Sequence, residues 1–504
     1  MNNRIFQILK SFSHDEIRRF RDYLNSPFFN RSNKLSRLYS EITYFYPFFI
    51  SDELNYKNLH FKVSPKITYN SATMRGLFSD LEKHAINFLR QISLESDETG
   101  THNYLRSELQ SRSLGKIFEK SIKEYEENFS LVNVIDENYF LNKLYLETDK
   151  FNYSYLSKNI SKKINVDSLI LYLVAGSKYL FLYFTMKMVS HYLDLQTMYA
   201  NYREIEERNS LEEFLKKFFN GLDNFYLKGF LKDKKSDYYF VYDIYFNMFK
   251  AYSEKNGIEY YKNCKKLLYD FGKYFKTDEK QLLFGKLIDY NEMNLRNKSR
   301  SDKFTERELV KLYELVLAKK YYETEAIKYI PVTLFRNLIS FAVRIRKFKW
   351  AEKFIKIYSN RLYPDFRNDL KNIGFARLNN ARRNFSESLK YLNKVNPESA
   401  GVKFDYKSLM IMVHYELGNY EYVISQLDSF RHFITRTRTI SKERKTNFRN
   451  FIYFVERFVK FMNNRNKTYL NSLEYKIKSE EGIAYRDWLR EKVKGLTVSR
   501  VKAA

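Results

Sequence analysis

Leu417–Phe430, with the sequence LGNYEYVISQLDSF, decides the fold because its pattern occurs twice more upstream. In each copy an aromatic residue is followed by a small or medium-sized residue at +3 and an aliphatic residue at +7. The aromatic residues are 37 and 35 residues apart. Spacings of three, four and seven residues place side chains on one face of a helix, so each copy predicts an amphipathic helix. The three sets are Phe348, Ala351 and Ile355; Phe385, Ser388 and Leu392; and Tyr420, Val423 and Leu427.

Three prolines repeat with nearly the same period. Pro331, Pro364 and Pro397 are spaced 33 and 33 residues apart, in a chain with only 6 prolines. Proline is tolerated in the first turn of a helix, where its missing N–H would have no intrahelical partner. We therefore expect each proline just after a helix or in a helix's first turn. The two periodicities together predict repeated helical hairpins.

The stretch GNYEYVI, Gly418–Ile424, resembles the turn and second helix of tetratricopeptide-like repeats, and the resemblance covers about Val332 to Phe430. It implies a right-handed α-solenoid of antiparallel helical hairpins, whose first helices line a concave groove for a peptide or partner helix. The chain departs from the family pattern at several positions. Arg346 and Arg383 replace the turn glycine, Ile339 and Ile411 occupy a usually small position where Ala376 fits, and Val423 is larger than the usual alanine.

Polar breaks divide the remaining chain. The predicted regions are an N-terminal helical cap region (1–94), an aromatic-rich helical region (105–295), the repeats (304–434), and a basic segment with C-terminal capping helices (435–504). The cap region includes a helix from Ser71 with a predicted buried stripe of Leu77, Leu81, Ile86 and Leu89, flanked by Phe78, Ala85 and Phe88. A DNA-reading helix-turn-helix is the alternative there, with Arg75 and Lys83 as its only strong contacts. The SPFFN stretch, Ser26–Asn30, resembles bacterial repeat proteins and implies no activity.

Composition supports an all-α fold and raises a question about charge. The 504 residues include only 14 Gly and 6 Pro, too few for the many tight turns of β and α/β folds. Lys and Arg number 88 against 60 Asp and Glu, giving a net charge of +28. Such a charge attracts nucleic acid, acidic proteins or anionic lipid. An alternative source is codon bias, because Lys, Asn, Ile, Tyr and Phe all have A/T-rich codons.

The most apolar stretch is Leu169–Leu193. Lys178 and Lys187 lie inside it, so we expect a buried core helix rather than a membrane span. The N-terminus lacks the apolar run of a signal peptide. The single cysteine, Cys264, excludes an intrachain disulfide. A cytoplasmic protein is therefore expected.

The sequence contains no recognisable catalytic pattern. It has no G-x-G loop for a nucleotide, no H-x-H or H-E-x-x-H pair, and too few cysteines for a thiolate zinc site. Cys264 has three neighbouring lysines but lies in an aromatic-rich stretch, so an inert thiol is expected. We expect a non-enzymatic protein without cofactor or metal.

Two interaction hypotheses follow. Alignment of the repeats turns six residues toward the groove, where three arginines would suit a partner's carboxylates or phosphates. These residues are Arg336, Arg344, Arg377, Asn380, Asp405 and Ser408. The first hypothesis is a scaffold that binds another protein or peptide, acidic in character, in this groove. The second is nucleic-acid binding by a basic surface that includes Arg436, Arg438, Lys442, Arg444, Lys445 and Arg449.

Overall fold

The computed structural model confirms an all-α chain, since every regular element in the residues it describes is a helix. The described residues are 4–131, 134–158, 165–201, 208–232, 238–297, 303–323, 328–397, 400–438, 440–464, 467–480 and 482–498. Internal contacts divide the chain into two compact units. The smaller unit comprises Met1–Leu131 and Asp149–Asn165, and the larger comprises Val132–Thr148 and Val166–Ala504. The predicted break at Glu95–Tyr104 falls inside the smaller unit, and most of it is helical.

The smaller unit is built from seven helices and the end of an eighth among the described residues. They are α1 (Arg4–Ser11), α2 (His14–Asn25), α3 (Asn33–Thr43), α4 (Tyr56–Val63), α5 (Ser71–Ser96), α6 (Glu98–Ser111), α7 (Gly115–Leu131) and α8 (Glu137–Lys158). A capping box starts α2, as the sequence S-H-D-E predicts: the Glu16 N–H donates to Ser13 Oγ, and the Ser13 N–H donates to the Glu16 carboxylate.

The predicted buried stripe of α5 is only partly right, because the flanking residues Phe78, Ala85 and Phe88 are buried more deeply than most of the stripe itself. Its buried side chains are Met74, Phe78, Leu81, Ala85 and Phe88. By contrast, Ile86 and Leu89 are each 39% exposed. Apolar residues cover more than half of this helix's circumference, so periodicity alone did not indicate which side faces α1, α2 and α3. The aromatic contacts of Phe88 with rings of α2 decide that side.

The larger unit contains the other helices. They are α9 (Val166–Asn201), α10 (Arg208–Asn220), α11 (Asn224–Leu231), α12 (Tyr239–Ser253), α13 (Ile258–Phe271), α14 (Thr277–Asn297), α15 (Lys303–Ala318), α16 (Val332–Arg344), α17 (Phe348–Tyr358), α18 (Pro364–Ala381), α19 (Phe385–Leu392), α20 (Ala400–Glu416), α21 (Tyr420–Arg436), α22 (Lys442–Asn464), α23 (Lys467–Ser479) and α24 (Arg486–Val498).

The repeat motif places its residues as predicted. Phe348, Phe385 and Tyr420 are the first residues of α17, α19 and α21. The +3 and +7 residues of all three copies are buried, each with an exposed fraction of 0–1%. Pro331 is the N-cap residue of α16 and Pro364 is the first residue of α18. Each aromatic motif therefore begins the second helix of a pair, with its small residue and its aliphatic residue packed inward.

The turns inside these pairs adopt the conformation for which the family uses glycine. Arg346, Arg383 and Gly418 have positive φ angles of 59°, 64° and 78°. Two arginines are thus held in a backbone region that L-residues rarely adopt. The replacement of the family's turn glycine by Arg346 and Arg383 therefore changes the side chain but not the backbone conformation of the turn.

Substitutions at these turns test that geometry. A Cβ at Gly418 would meet no atom within 4 Å, so Gly418→Ala changes only the backbone preference and is expected to cost about 1 kcal/mol. Arg346→Gly relieves the same strain and is expected to be neutral or stabilising by up to about 1 kcal/mol. Urea denaturation measures both. Equal destabilisation by the two changes would contradict the assigned turn conformation.

Helix α9 is less buried than expected. Its apolar window is only 33% buried, and by length and composition it could cross a membrane. The buried part lies mainly in the second half, where Leu182, Met186, Val189 and Leu193 are 0–1% exposed. The first half exposes Ile170, Leu171 and Leu173 by 53–66%. The prediction of a buried core helix thus holds for the second half and is wrong for the first.

A buried carboxyl in the larger unit should make stability pH-dependent. Tyr245 donates its hydroxyl to Glu279, which is 6% exposed. Burial, together with the nearby Glu137 and Asp136 carboxylates, raises the pKa of Glu279 to about 7, despite the opposing effects of Tyr245 and Lys187. The folded chain therefore retains a proton that the unfolded chain loses above about pH 4.3. Stability should fall as pH rises through this window to about 7.

Glu279→Gln is expected to remove that pH dependence and to be at least as stable as the unsubstituted chain at pH 8. Thermal unfolding between pH 5 and pH 8 measures the effect. The exposed Glu314 provides a control, because Glu314→Gln should leave the pH profile unchanged. An unaltered slope in Glu279→Gln would contradict the protonated state assigned to Glu279.

Candidate partner-binding face

Three first helices of the predicted repeats bring charged residues to one point. Arg336 lies on α16, Arg377 on α18 and Asp405 on α20. The Arg336 guanidinium contacts Asp405 Oδ2 through Nη2 at 2.6 Å and through Nε at 2.8 Å. Arg377 Nη2 lies 3.3 Å from Asp405 Oδ1. One carboxylate is therefore shared between two guanidinium groups.

Burial makes this shared carboxylate energetically important. Asp405 is 8% exposed, and the side chains of Arg336 and Arg377 are 17% and 14% exposed. Burial alone would raise the pKa of Asp405, but the charges of Arg336 and Arg377 outweigh burial and lower it. Burial likewise opposes the charge on Arg377, and Asp405 outweighs it and raises the pKa of Arg377. Arg336, Arg377 and Asp405 are thus all ionised. We call them the Asp405 cluster, and its net charge is positive because two guanidinium groups share one carboxylate.

The other predicted groove residues have different surroundings. Arg344 Nε lies 3.8 Å from carboxylates on both Glu306 and Asp487. Arg336, Arg344, Arg377 and Asn380 line one cavity. Asp405 and Ser408 are buried in the packing beside it. The three arginines therefore share a surface, as predicted.

None of the three arginines presents an unpaired guanidinium group to the cavity. Each one already contacts a carboxylate of the same chain. Arg336 also donates to the Gly401 carbonyl at 3.1 Å, and Arg377 donates to Ser340 Oγ. Burial accounts for the pairing of Arg336 and Arg377, because an unpaired guanidinium at their depth would lose hydration without compensation, whereas Arg344 is more exposed.

The cavity has a volume of about 2430 Å³ and lies wholly within the larger unit. We call the surface that α16, α18 and α20 turn toward it the partner face. Among the described residues that line the cavity, twelve are Lys or Arg and eight are Asp or Glu. The lining is therefore strongly polar with a basic excess, which favours an acidic occupant.

The C-terminal helix α24 and the loop before it lie across the partner face. Trp488 donates its indole N–H to Glu416 Oε1 at 2.8 Å, and Lys492 forms an ion pair with the same carboxylate. The Tyr485 hydroxyl is 3.5 Å from Asp405 Oδ1. Sequence reasoning placed capping helices in this region but did not identify these contacts. No motif indicates them, because the paired residues are 72 and 80 positions apart.

The six predicted anion contacts lie at the end of α21, in the loop after it and in the first turns of α22, and they differ in exposure. Arg436, Arg438, Lys442 and Arg449 are exposed, whereas Arg444 and Lys445 are half-buried. Arg444 also lines the cavity, and its charge helps lower the pKa of Asp405. The six predicted anion contacts thus do not form one uniform surface, and four of them remain open to solvent.

The described residues contain no group of three or more His, Cys, Asp or Glu side chains placed to hold a metal ion. Cys264 is fully buried in α13, and burial raises the pKa of its thiol well above the usual range. A thiol in that state is a poor nucleophile. The neighbouring lysines, which could have lowered the thiol pKa, do not offset this burial.

Comparisons with protein-family models, with curated proteins and with solved structures gave no match.

Proposed function

We propose that this chain is a non-enzymatic interaction protein whose tetratricopeptide-like hairpins form a right-handed solenoid, and that it binds an acidic segment of another protein on the partner face. The observation that carries this proposal is the polar, basic cavity to which α16, α18 and α20 contribute jointly. Successive first helices lining one surface are typical of a groove that holds an extended peptide or a helix.

Site-specific photo-crosslinking in cells of the source organism tests the proposal. A photoreactive amino acid at Thr333 or Asn380 lies in the cavity lining, on α16 and α18 respectively. The same amino acid at Lys371 lies on an exposed part of α18 outside that lining. We expect one protein to crosslink from both lining positions and not from Lys371. Absence of crosslinks from the lining positions, or equal crosslinking from Lys371, would contradict the proposal.

A second candidate is nucleic-acid binding, favoured by the four exposed cations Arg436, Arg438, Lys442 and Arg449. Contacts between such side chains and phosphates release counterions, so affinity should fall steeply as salt rises. Filter binding of random DNA and RNA at two salt concentrations measures this. Binding should weaken when the four cations are replaced with glutamine.

The matched control replaces four other exposed lysines with glutamine: Lys347, Lys349, Lys353 and Lys371. If the cluster binds nucleic acid, the control variant should retain most of the affinity. Equal losses in both variants would indicate attraction by net charge alone. No binding at low salt would exclude this second function.

A further inference from the structure

Helix α24 packs on α22 and α23 and reaches the partner face through side-chain contacts. Its polar contacts reach all three sides of the face: Asp487 approaches Arg344 at the end of α16, Glu491 pairs with Arg383 just after α18, and Trp488 and Lys492 meet Glu416 on α20. The Arg383 Nη2 to Glu491 Oε1 distance is 2.5 Å. One short helix therefore satisfies charges from three separate elements.

Apolar contacts accompany these ion pairs. The Trp488 ring packs edge-on against Tyr415 of α20, with ring centroids 5.5 Å apart. The Tyr485 and Trp488 rings both contact Phe451 of α22, at 5.5 and 6.1 Å. Leu489 and Val493 are each 0% exposed. Trp488 is half-buried, and an aromatic side chain surrounded by charge pairs resembles the composition of a binding hot spot.

The connection from α23 to α24 is strained. Gly482 has a φ of 69°, and Tyr485, which carries a side chain, has a φ of 53°. The Ala484 N–H donates to the Asn447 carbonyl at 3.0 Å, and the Gly482 carbonyl accepts from Asn450 Nδ2 at 3.0 Å. The left-handed conformation of Tyr485 costs energy that the docked contacts offset. Release of α24 would relieve that strain.

We propose that α24 is an internal ligand of the partner face, and that the partner presents an acidic helix which takes its place and repeats the aromatic and carboxylate contacts of α24. This inference rests on the proposed function and adds the partner's recognition pattern. The pattern is an aromatic pair three residues apart, as in Tyr485 and Trp488, with two carboxylates four residues apart, as in Asp487 and Glu491. The carboxylates of the partner helix would meet Arg344 and Arg383.

Competition within one chain has a measurable consequence. A tethered helix has an effective concentration of about millimolar for a short connection, so a free helix binds only the fraction of molecules in which α24 has left. Weakening the tethered helix should therefore strengthen binding of the free one.

The probe is a synthetic labelled peptide with the sequence of residues 482–498, GIAYRDWLREKVKGLTV, and the readout is fluorescence anisotropy with the full chain. We expect weak binding to the unsubstituted chain and at least tenfold tighter binding to Trp488→Ala. Lys494→Ala is the matched control, because Lys494 lies exposed on the same helix outside the cavity lining. Lys494→Ala should bind the peptide as weakly as the unsubstituted chain does.

A charge exchange provides a second test should Trp488→Ala fail to fold. Arg383 and Glu491 are at least half exposed, so substitutions there should leave folding intact. A peptide carrying Glu491→Arg should bind the Arg383→Glu chain at least threefold more tightly than it binds the unsubstituted chain. The original peptide should show the reverse preference.

Two outcomes would overturn the inference. One is a folded Trp488→Ala chain that binds the peptide no more tightly than the unsubstituted chain does. The other is an Arg383→Glu chain that shows no preference between the two peptides. Failure of the proposed function can be distinguished from failure of this inference. It would appear as an absence of crosslinks at Thr333 and Asn380, independently of the result of the peptide-binding experiments.

Discussion

Asp405→Asn is expected to destabilise the larger unit by about 3–5 kcal/mol, because it leaves Arg336 and Arg377 without their shared counter-charge. The substitution preserves the shape of the side chain, so the loss reports on charge and not on packing. Chemical denaturation followed by circular dichroism measures it. A loss below about 1 kcal/mol would show that solvent or another acid already compensates the two guanidinium groups.

Two further variants test whether the loss in Asp405→Asn comes from leaving buried charges without a partner. Asp428→Asn removes an ion pair with Arg431 on the surface of α21, where Asp428 is 63% exposed, and should cost less than about 1 kcal/mol. Replacing the whole cluster, with Arg336→Met, Arg377→Met and Asp405→Leu together, should cost much less than Asp405→Asn alone. A buried ion pair lost with both partners is often neutral, whereas one lost with a single partner is costly.

The pH dependence of the same cluster has a definite sign. The pKa of Asp405 is lower in the folded chain than in the unfolded chain, where it is about 3.9. Its contribution to stability is therefore fully present above that value and is lost as the pH falls through the folded pKa. In Asp405→Asn this acid-dependent loss should disappear, and the two stability profiles should converge as the pH falls below about 4.

The sequence was sufficient for features that depend on local spacing. The starts of α17, α19 and α21 and the burial of their +3 and +7 residues follow from a period within one helix. The apolar residues of α22 show the same dependence on helical spacing, with Phe451, Phe454, Val455 and Phe458 each 0% exposed and Met462 half-buried. Alignment of the repeats also placed three arginines on one surface, because Arg336, Arg344 and Arg377 precede their motif aromatics by 12, 4 and 8 residues and steps of four stay near one face of a helix.

Features that depend on distant pairs were not predictable from spacing. Arg336 and Asp405 are 69 residues apart, so the sequence could place both near the groove without indicating that they pair. The contacts of α24 with α20 span a similar distance, and no motif links Trp488 to Glu416. In α5 and the first half of α9 the buried face was mispredicted for a different reason. Apolar residues on several sides of a helix leave its buried face undetermined until neighbouring elements are known.

The largest loss from a single truncation in the described repeats is expected for Phe404→Ala, at about 3–5 kcal/mol. Phe404 on α20 is 0% exposed and packs against Phe430 and Phe433 of α21 and Phe448 of α22. Its ring centroid lies 4.6 Å from that of Phe448 and 4.9 Å from that of Phe433. Removal of the ring opens a cavity at the junction of three helices, and those helices cannot close it independently.

The measurement for Phe404→Ala is urea denaturation combined with hydrogen exchange, which assigns the loss to particular helices. Exchange should accelerate in α20, α21 and α22 of the larger unit, while the separate core of the smaller unit, around Phe20 and Tyr39, keeps its protection.

Phe225→Ala is the control, because that side chain is 82% exposed and its removal should change stability by less than about 0.5 kcal/mol. A loss that spread equally to the smaller unit would contradict two separate cores. A loss confined to α20 would mean that Phe448 does not couple α22 to α20 and α21, and the proposed role of α22 as a cover for the predicted repeats would then lose the support of this contact.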